Sequence, residues 1–177
     1  MNKLLVALLV GAVIVIGIFF AFNNKKQVVT EVGYKDIEYT IEGKRVKLGS
    51  DATATTRYFG NELVTDLDGD SREDVAFIVT QDPGGTGTFF YAVAALNTVD
   101  GYVGSDGYLL GDRVAPQPTT LSPNPRHKNV VVFNYANRKP EEPMTAKPSV
   151  GKSAYLKLDP ASMQWGIVLP NFEGESK

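Results

Sequence analysis

The sequence predicts an all-β protein: a single antiparallel, sandwich- or barrel-like domain behind one N-terminal transmembrane helix. Three observations carry that reading. After residue 22, no stretch keeps apolar residues at helical spacing for three turns, while short β-branched and aromatic runs recur between Gly, Pro, Asn and Asp. Seven of the 10 prolines crowd into Pro116–Pro148, where they deny a central strand its amide donors. Ahead of all this stands Leu4–Phe22, 19 residues without a charge.

At 1.5 Å per residue that run spans roughly 28 Å as a helix, close to the hydrocarbon thickness of a bilayer. A cleaved signal peptide and a buried core helix compete with an anchor. The run is longer than a signal core, and Phe19, Phe20 and Phe22 put bulky rings where cleavage wants small residues. A core helix would need a polar face, and there is none. Residues 1–3 are then a cytoplasmic end, 4–22 the anchor, 23–33 a polar linker, 34–170 the β domain and 171–177 a loose tail. Lys3 on one side and Lys25 and Lys26 on the other leave the positive-inside comparison nearly tied.

A chain of 177 residues allows about one such domain. The formal net charge of −2 offers no broad basic surface, so nucleic acid is not an expected partner. The absence of cysteine excludes disulfides, thiolate metal sites and a cysteine nucleophile.

In order along the domain, IEYTI and KRVKL flank Glu42-Gly43 as a hairpin. TTRYF and ELVTDL are two further extended segments. VAFIVT and FFYAVAAL flank the turn-rich Gln81–Gly87, and their near-continuous apolar character suggests central strands covered on both faces. GYVG, YLLG, VVVFNYA, AYLKL and QWGIVL complete the set, with Val114–Pro125 and Arg138–Pro148 as loops draped over a sheet.

The strongest chemical signal is Asp66–Asp74, with five carboxylates and one arginine in nine residues. That much like charge in a tight turn is unfavourable unless something neutralises it. Calcium takes six to eight oxygen ligands, often from alternating loop positions. Asp66, Asp68, Asp70 and Asp74 offer carboxylates, and Arg72 its main-chain carbonyl. An EF-hand is excluded, because its twelfth loop position falls on Phe77 rather than Glu. A solvated Asp- and Gly-rich turn without metal is the alternative.

The acidic loop running straight into a strand, with Phe59-Gly60 upstream, resembles the calcium loop of FG-GAP repeats and the Asp-rich loops of dockerin-like modules. The resemblance implies that Asp66, Asp68, Asp70 and Asp74 are side-chain ligands and Arg72 a main-chain ligand for Ca2+. Ser71 departs from it, standing where those loops usually carry Gly. With a single copy, the propeller fold does not transfer. The order Asp66–Asp70, Pro83–Gly85 and Gly111–Arg113 resembles that of a group of bacterial membrane-anchored or secreted β-domain proteins. That resemblance implies location and fold rather than an activity.

Other chemical-looking signals read more plainly. Ala146–Ser153 fits a relaxed phosphate-loop pattern, but a proline-rich loop precedes it and a strand follows, so a nucleotide is not expected. Asp82–Gly87 reads as a turn needing positive φ. His127, between prolines, reads as an exposed loop residue without a partner, and Glu141-Glu142 as solvated charge. Asp112-Arg113 reads as an internal ion pair holding a loop, or as part of a binding surface.

The function expected is a membrane-anchored, extracytoplasmic binding or structural module with one calcium-stabilised loop, since weak loop sites fill only where calcium is abundant. Its expected partners are the membrane, through residues 4–22, and an envelope protein or glycan. An envelope hydrolase, pairing loop carboxylates with Asp82 or Asp112, is the enzymatic alternative. A docking subunit of a membrane complex is the other.

Overall fold

The computed structural model describes residues 32–49 and 55–170. The anchor segment 4–22, most of the linker and the tail 171–177 lie outside the described residues, which contain no helix and only antiparallel strand ladders.

Glu42 and Gly43 both take positive φ, 51° and 74°. That is the mirror-image turn whose twist matches two right-twisted strands. It joins β1 (Glu38–Ile41) to β2 (Lys44–Lys47) as the sequence predicts. TTRYF and ELVTDL prove to be one strand, β3 (Thr56–Thr65), broken in register around Gly60 and Asn61. Those two residues have φ of 128° and 56°, which absorbs the extra length as a bulge.

The first sheet continues through β4 (Asp74–Gln81) and β5 (Phe89–Thr98). Both β6 (Gly101–Gly104) and β7 (Tyr108–Asp112) then pair with the outer edge of β5, one on each half. In the second sheet, β10 (Val130–Asn137) lies between β11 (Val150–Asp159) and two short segments, β8 (Ala115–Pro116) and β9 (Thr120–Leu121). The strand β12 (Gln164–Ile167) closes the far side of β11. The proline-rich segment expected as a plain loop therefore contributes edge pairing at two points. Pro116 is tolerated because an edge strand has one row of amides to spare.

Side chains alternate across β4 and β5, and both sets are buried. Ala76, Ile78, Phe90, Ala92, Ala94 and Leu96 pack against Val131, Phe133, Leu156 and Leu158 of the second sheet. Val75, Phe77, Val79, Tyr91, Val93 and Ala95 pack against Tyr39 and Ile41 of the β1–β2 hairpin. The near-continuous apolar runs are thus strands covered on both faces, as their composition predicts.

The hairpin is seated where β6 gives way to β7. Ser105, fully buried, exchanges backbone bonds with Ala94 and Thr40, and its hydroxyl accepts the Ala94 amide at 2.8 Å. Gly107 N donates to Thr40 O. A Cβ on Gly104 would meet the Glu38 carbonyl oxygen at 2.1 Å, and one on Gly107 would meet Ile41 Cδ1 at 2.4 Å. Both glycines are needed for the close approach of β1, not for a turn.

A polar clasp secures the same layer. The Tyr34 and Tyr58 hydroxyls both donate to Glu62 Oε1, and Lys35 Nζ lies 3.2 Å from that oxygen. The Lys35 ammonium also sits 3.7 Å from the centroid of the Tyr58 ring. The tyrosine bonds, with Lys35, hold the Glu62 carboxyl below its usual range. Desolvation and the Glu62 bonds push both tyrosines up.

Two outcomes are expected. Gly104→Ala should destabilise the protein strongly, because the obstacle is backbone. Gly151→Ala, on β11 with nothing within 4 Å, should be neutral or slightly stabilising in the same thermal melts. The clasp should also shape stability against pH. Glu62 contributes above its unfolded value of about 4.3, and that contribution is lost as pH falls through its lowered folded value. The tyrosines contribute below about pH 10, and their share is lost as pH rises through their raised values. Glu62→Gln should flatten the acid limb of a plot of melting temperature against pH.

Candidate metal centre

The loop between β3 and β4 is organised by its own carboxylates. Asp66 Oδ1 accepts the Gly69 amide at 2.6 Å, and Oδ2 accepts the Ser71 amide at 2.9 Å. Asp68 accepts from Asp70 N, and Asp70 from Arg72 N, each an Asx-type bond across two residues. Ser71 adopts φ 69°, the left-handed conformation that glycine would take more cheaply. The Asp66 bond to its amide holds it in that strained conformation.

Asp74, the first residue of β4, is fully buried. Its Oδ2 accepts Leu67 N and its Oδ1 accepts Asn97 N, both at 2.8 Å. One carboxylate therefore ties the loop to its own strand and to the end of β5. Leu67, the one apolar residue of the loop, is 2% exposed and joins the inter-sheet core. Asn129 of the second sheet's side donates to Leu67 O at 3.2 Å.

Asp66, Asp68 and Asp74 converge, each offering a carboxylate oxygen within 4.8 Å of the others. Asp70 does not join them; its carboxylate pairs with the Arg72 guanidinium, whose Nε also donates to Asn97 O. Of the five expected ligand residues, the structure brings three together and turns the side chains of Asp70 and Arg72 toward each other.

Electrostatically the three differ. The Gly69 and Ser71 amides hold the Asp66 carboxyl below its usual range. Burial pushes Asp74 up, partly offset by its two amide donors and reinforced by the charges of Asp68 and Asp70. Among the described residues, no cationic side chain forms an ion pair with Asp74. A buried anion beside other anions is stabilised either by a proton or by a cation.

The remaining polar candidates are structural. Asp112 pairs with Arg113 at 2.9 Å and accepts the Thr88 amide, which fits the loop-holding reading. Asp82 accepts from Arg57 and from Thr88 Oγ1, bracing the Pro83–Gly87 turn. His127 corrects the expectation of an exposed ring. It is 8% exposed, with Nδ1 2.7 Å from Ser122 Oγ and Nε2 3.3 Å from Asn124 Nδ2. Prolines flanking a histidine indicate a loop but say nothing of its depth. Sequence reasoning also missed Asn97, which acts through its main-chain N–H and carbonyl, and Asn129, whose side chain makes one contact distant in the chain.

No family model matches the chain, and no curated protein or solved structure does so at a significant level.

Asp74→Asn tests the architecture independently of metal. An amide keeps one acceptor but turns an NH2 group toward a backbone N–H, so with chelator present it should cost about 1–3 kcal/mol. Asp68→Asn retains the acceptor for Asp70 N and should stay within about 0.5 kcal/mol. Denaturant unfolding of both variants checks the contrast.

Proposed function

We propose that the protein is a membrane-anchored, extracytoplasmic binding or structural module whose β domain is stiffened by one calcium ion in the Asp66–Asp74 loop. The observation that carries this reading is the convergence of Asp66, Asp68 and Asp74 on one point, with Asp74 buried and without an ion pair.

The donor set fits the ion. Carboxylate oxygens are hard ligands, and each keeps lone pairs beyond those used by the backbone amides. The main-chain carbonyl of Arg72 would add a ligand, and Asp70 would join the set by leaving the Arg72 guanidinium. Calcium suits this loop better than magnesium, which demands compact octahedral geometry and gives up water reluctantly. Bound there, the ion would supply the counter-charge that Asp74 lacks. It would thereby fix the start of β4 and the β5–β6 turn.

The hydrolase alternative asks for two carboxylates about 5–9.5 Å apart in a cleft. Asp82 follows the end of β4 opposite Asp74, and Asp112 pairs with Phe89 at that same end, so neither stands beside the loop carboxylates, which favours ion binding. The Leu4–Phe22 run supports the anchor, and a weak calcium loop supports an extracytoplasmic location, where such sites fill.

Scanning calorimetry of the full chain tests the ion. At free calcium of about 100 times Kd, stabilisation should be roughly 2.7 kcal/mol. For a domain of this size that is a rise of about 5–11 °C over the chelated sample. Magnesium should give much less. Asp68→Ala should abolish most of the calcium increment while leaving the chelated melting temperature nearly unchanged. Equal melting temperatures with calcium and with chelator would leave an acidic turn without metal.

A further inference from the structure

At the other end of the strands from the acidic loop, the chain after β10 folds over the start of β11 and leaves a cleft of about 690 Å³. Its walls carry Arg138, Lys139 and Lys152, with Met144 and Val150 as apolar lining. We propose that this cleft binds one oxyanion, a phosphate ester or a carboxylate, borne on a small organic body.

The argument is a balance of charge and hydrogen bonds. Two carboxylates line the cleft, Asp112 and Glu142. Asp112 is already paired with Arg113. Glu142 Oε2 accepts the Lys139 amide at 2.9 Å, which shapes the turn. Arg138 donates Nε to Ala146 O and Nη1 to Arg113 O, so backbone carbonyls fix its position, and its charge, with that of Arg113, acts on Asp112. Among the described residues, neither Arg138 nor Lys139 nor Lys152 forms an ion pair. Three cationic residues thus line one space against two carboxylates, one of them already paired with Arg113.

A guanidinium held by its own backbone contacts is a preorganised anion donor, and the lysine ammonium groups add charge without fixed geometry. The Met144 and Val150 surfaces give the rest of such a ligand something to lie against. A bare inorganic ion would leave that lining unused.

The test uses the full chain with chelator present throughout, which separates it from the calcium reading. Amide shifts are followed during titration with glycerol 3-phosphate, with glucuronate and with neutral glycerol. At least one of the two anions should produce saturable shifts at Asn137–Lys139 and Lys152, and glycerol none. Saturation by only one of them identifies the source of the oxyanion. Lys152→Glu should weaken binding about tenfold or more, and Lys139→Gln serves if that variant fails to fold. Lys147→Glu, exposed and outside the cleft, should bind as the unaltered protein does. Absence of saturation with both anions, or equal weakening by Lys147→Glu, overturns the proposal.

Discussion

Two adjacent strands buried on both faces set the terms for everything else in this domain. β4 and β5 present apolar side chains upward and downward, so neither a single sheet nor a simple hairpin can cover them. The second sheet covers one face. The other is left to a hairpin of two four-residue strands, which is a small lid for so much apolar surface. It suffices because it is seated against backbone: the step from β6 to β7 makes room for β1, and Gly104 and Gly107 let it come close. The tyrosine–glutamate–lysine clasp then holds the lid against β3. Removing the lid would expose Phe77 and Tyr91, which makes a few tight contacts disproportionately important.

The same constraint explains the chemistry at the strand ends. A strand covered on both sides must enter the core abruptly, and Asp74 is where β4 does so. Its two oxygens satisfy the Leu67 and Asn97 amides, which would otherwise be orphaned at the boundary. A neutral acceptor could serve one of them; a carboxylate serves both. The cost is a buried negative charge next to Asp66 and Asp68. The loop that makes the strand possible is therefore also the loop with most to gain from a cation.

Much of the fold was legible in the sequence because it depends on local pattern. The doubly apolar character of VAFIVT and FFYAVAAL reports burial on both faces, and Glu42-Gly43 marks a two-residue turn. The bulge that fuses TTRYF and ELVTDL into one strand was not legible, since Gly60-Asn61 signals a break as readily as a continuation. Nor was the role of Gly104 and Gly107, whose need for space comes from a strand some 65 residues earlier in the chain. At the acidic loop, composition located the segment, and alternation proposed Asp66, Asp68, Asp70 and Asp74 with the Arg72 carbonyl, of which three carboxylates lie together. It could not foresee that Arg72 would engage Asp70, because that choice depends on the carbonyl of Asn97 across the sheet. His127 was misread for the same reason: its depth is set by Ser122, Asn124 and the ring of Tyr155.

Charge is consequently sorted along the strands. The acidic loop caps the end where β4 begins, and Asn129, just before β10, reaches it through Leu67 O. Eight residues later β10 ends at Asn137, on the side where Arg138 reaches Arg113 O. At about 3.4 Å per residue the two ends are roughly 27 Å apart, well beyond a Debye length at physiological salt. A cation at one end and an anion at the other would thus bind almost independently through solvent. Any coupling between them would have to pass through the inter-sheet core, where Val131 and Phe133 of β10 pack with Ile78 and Ala92. Within that core β4 and β5 have no uncovered face, so a shift of either would have to displace both layers packed on them.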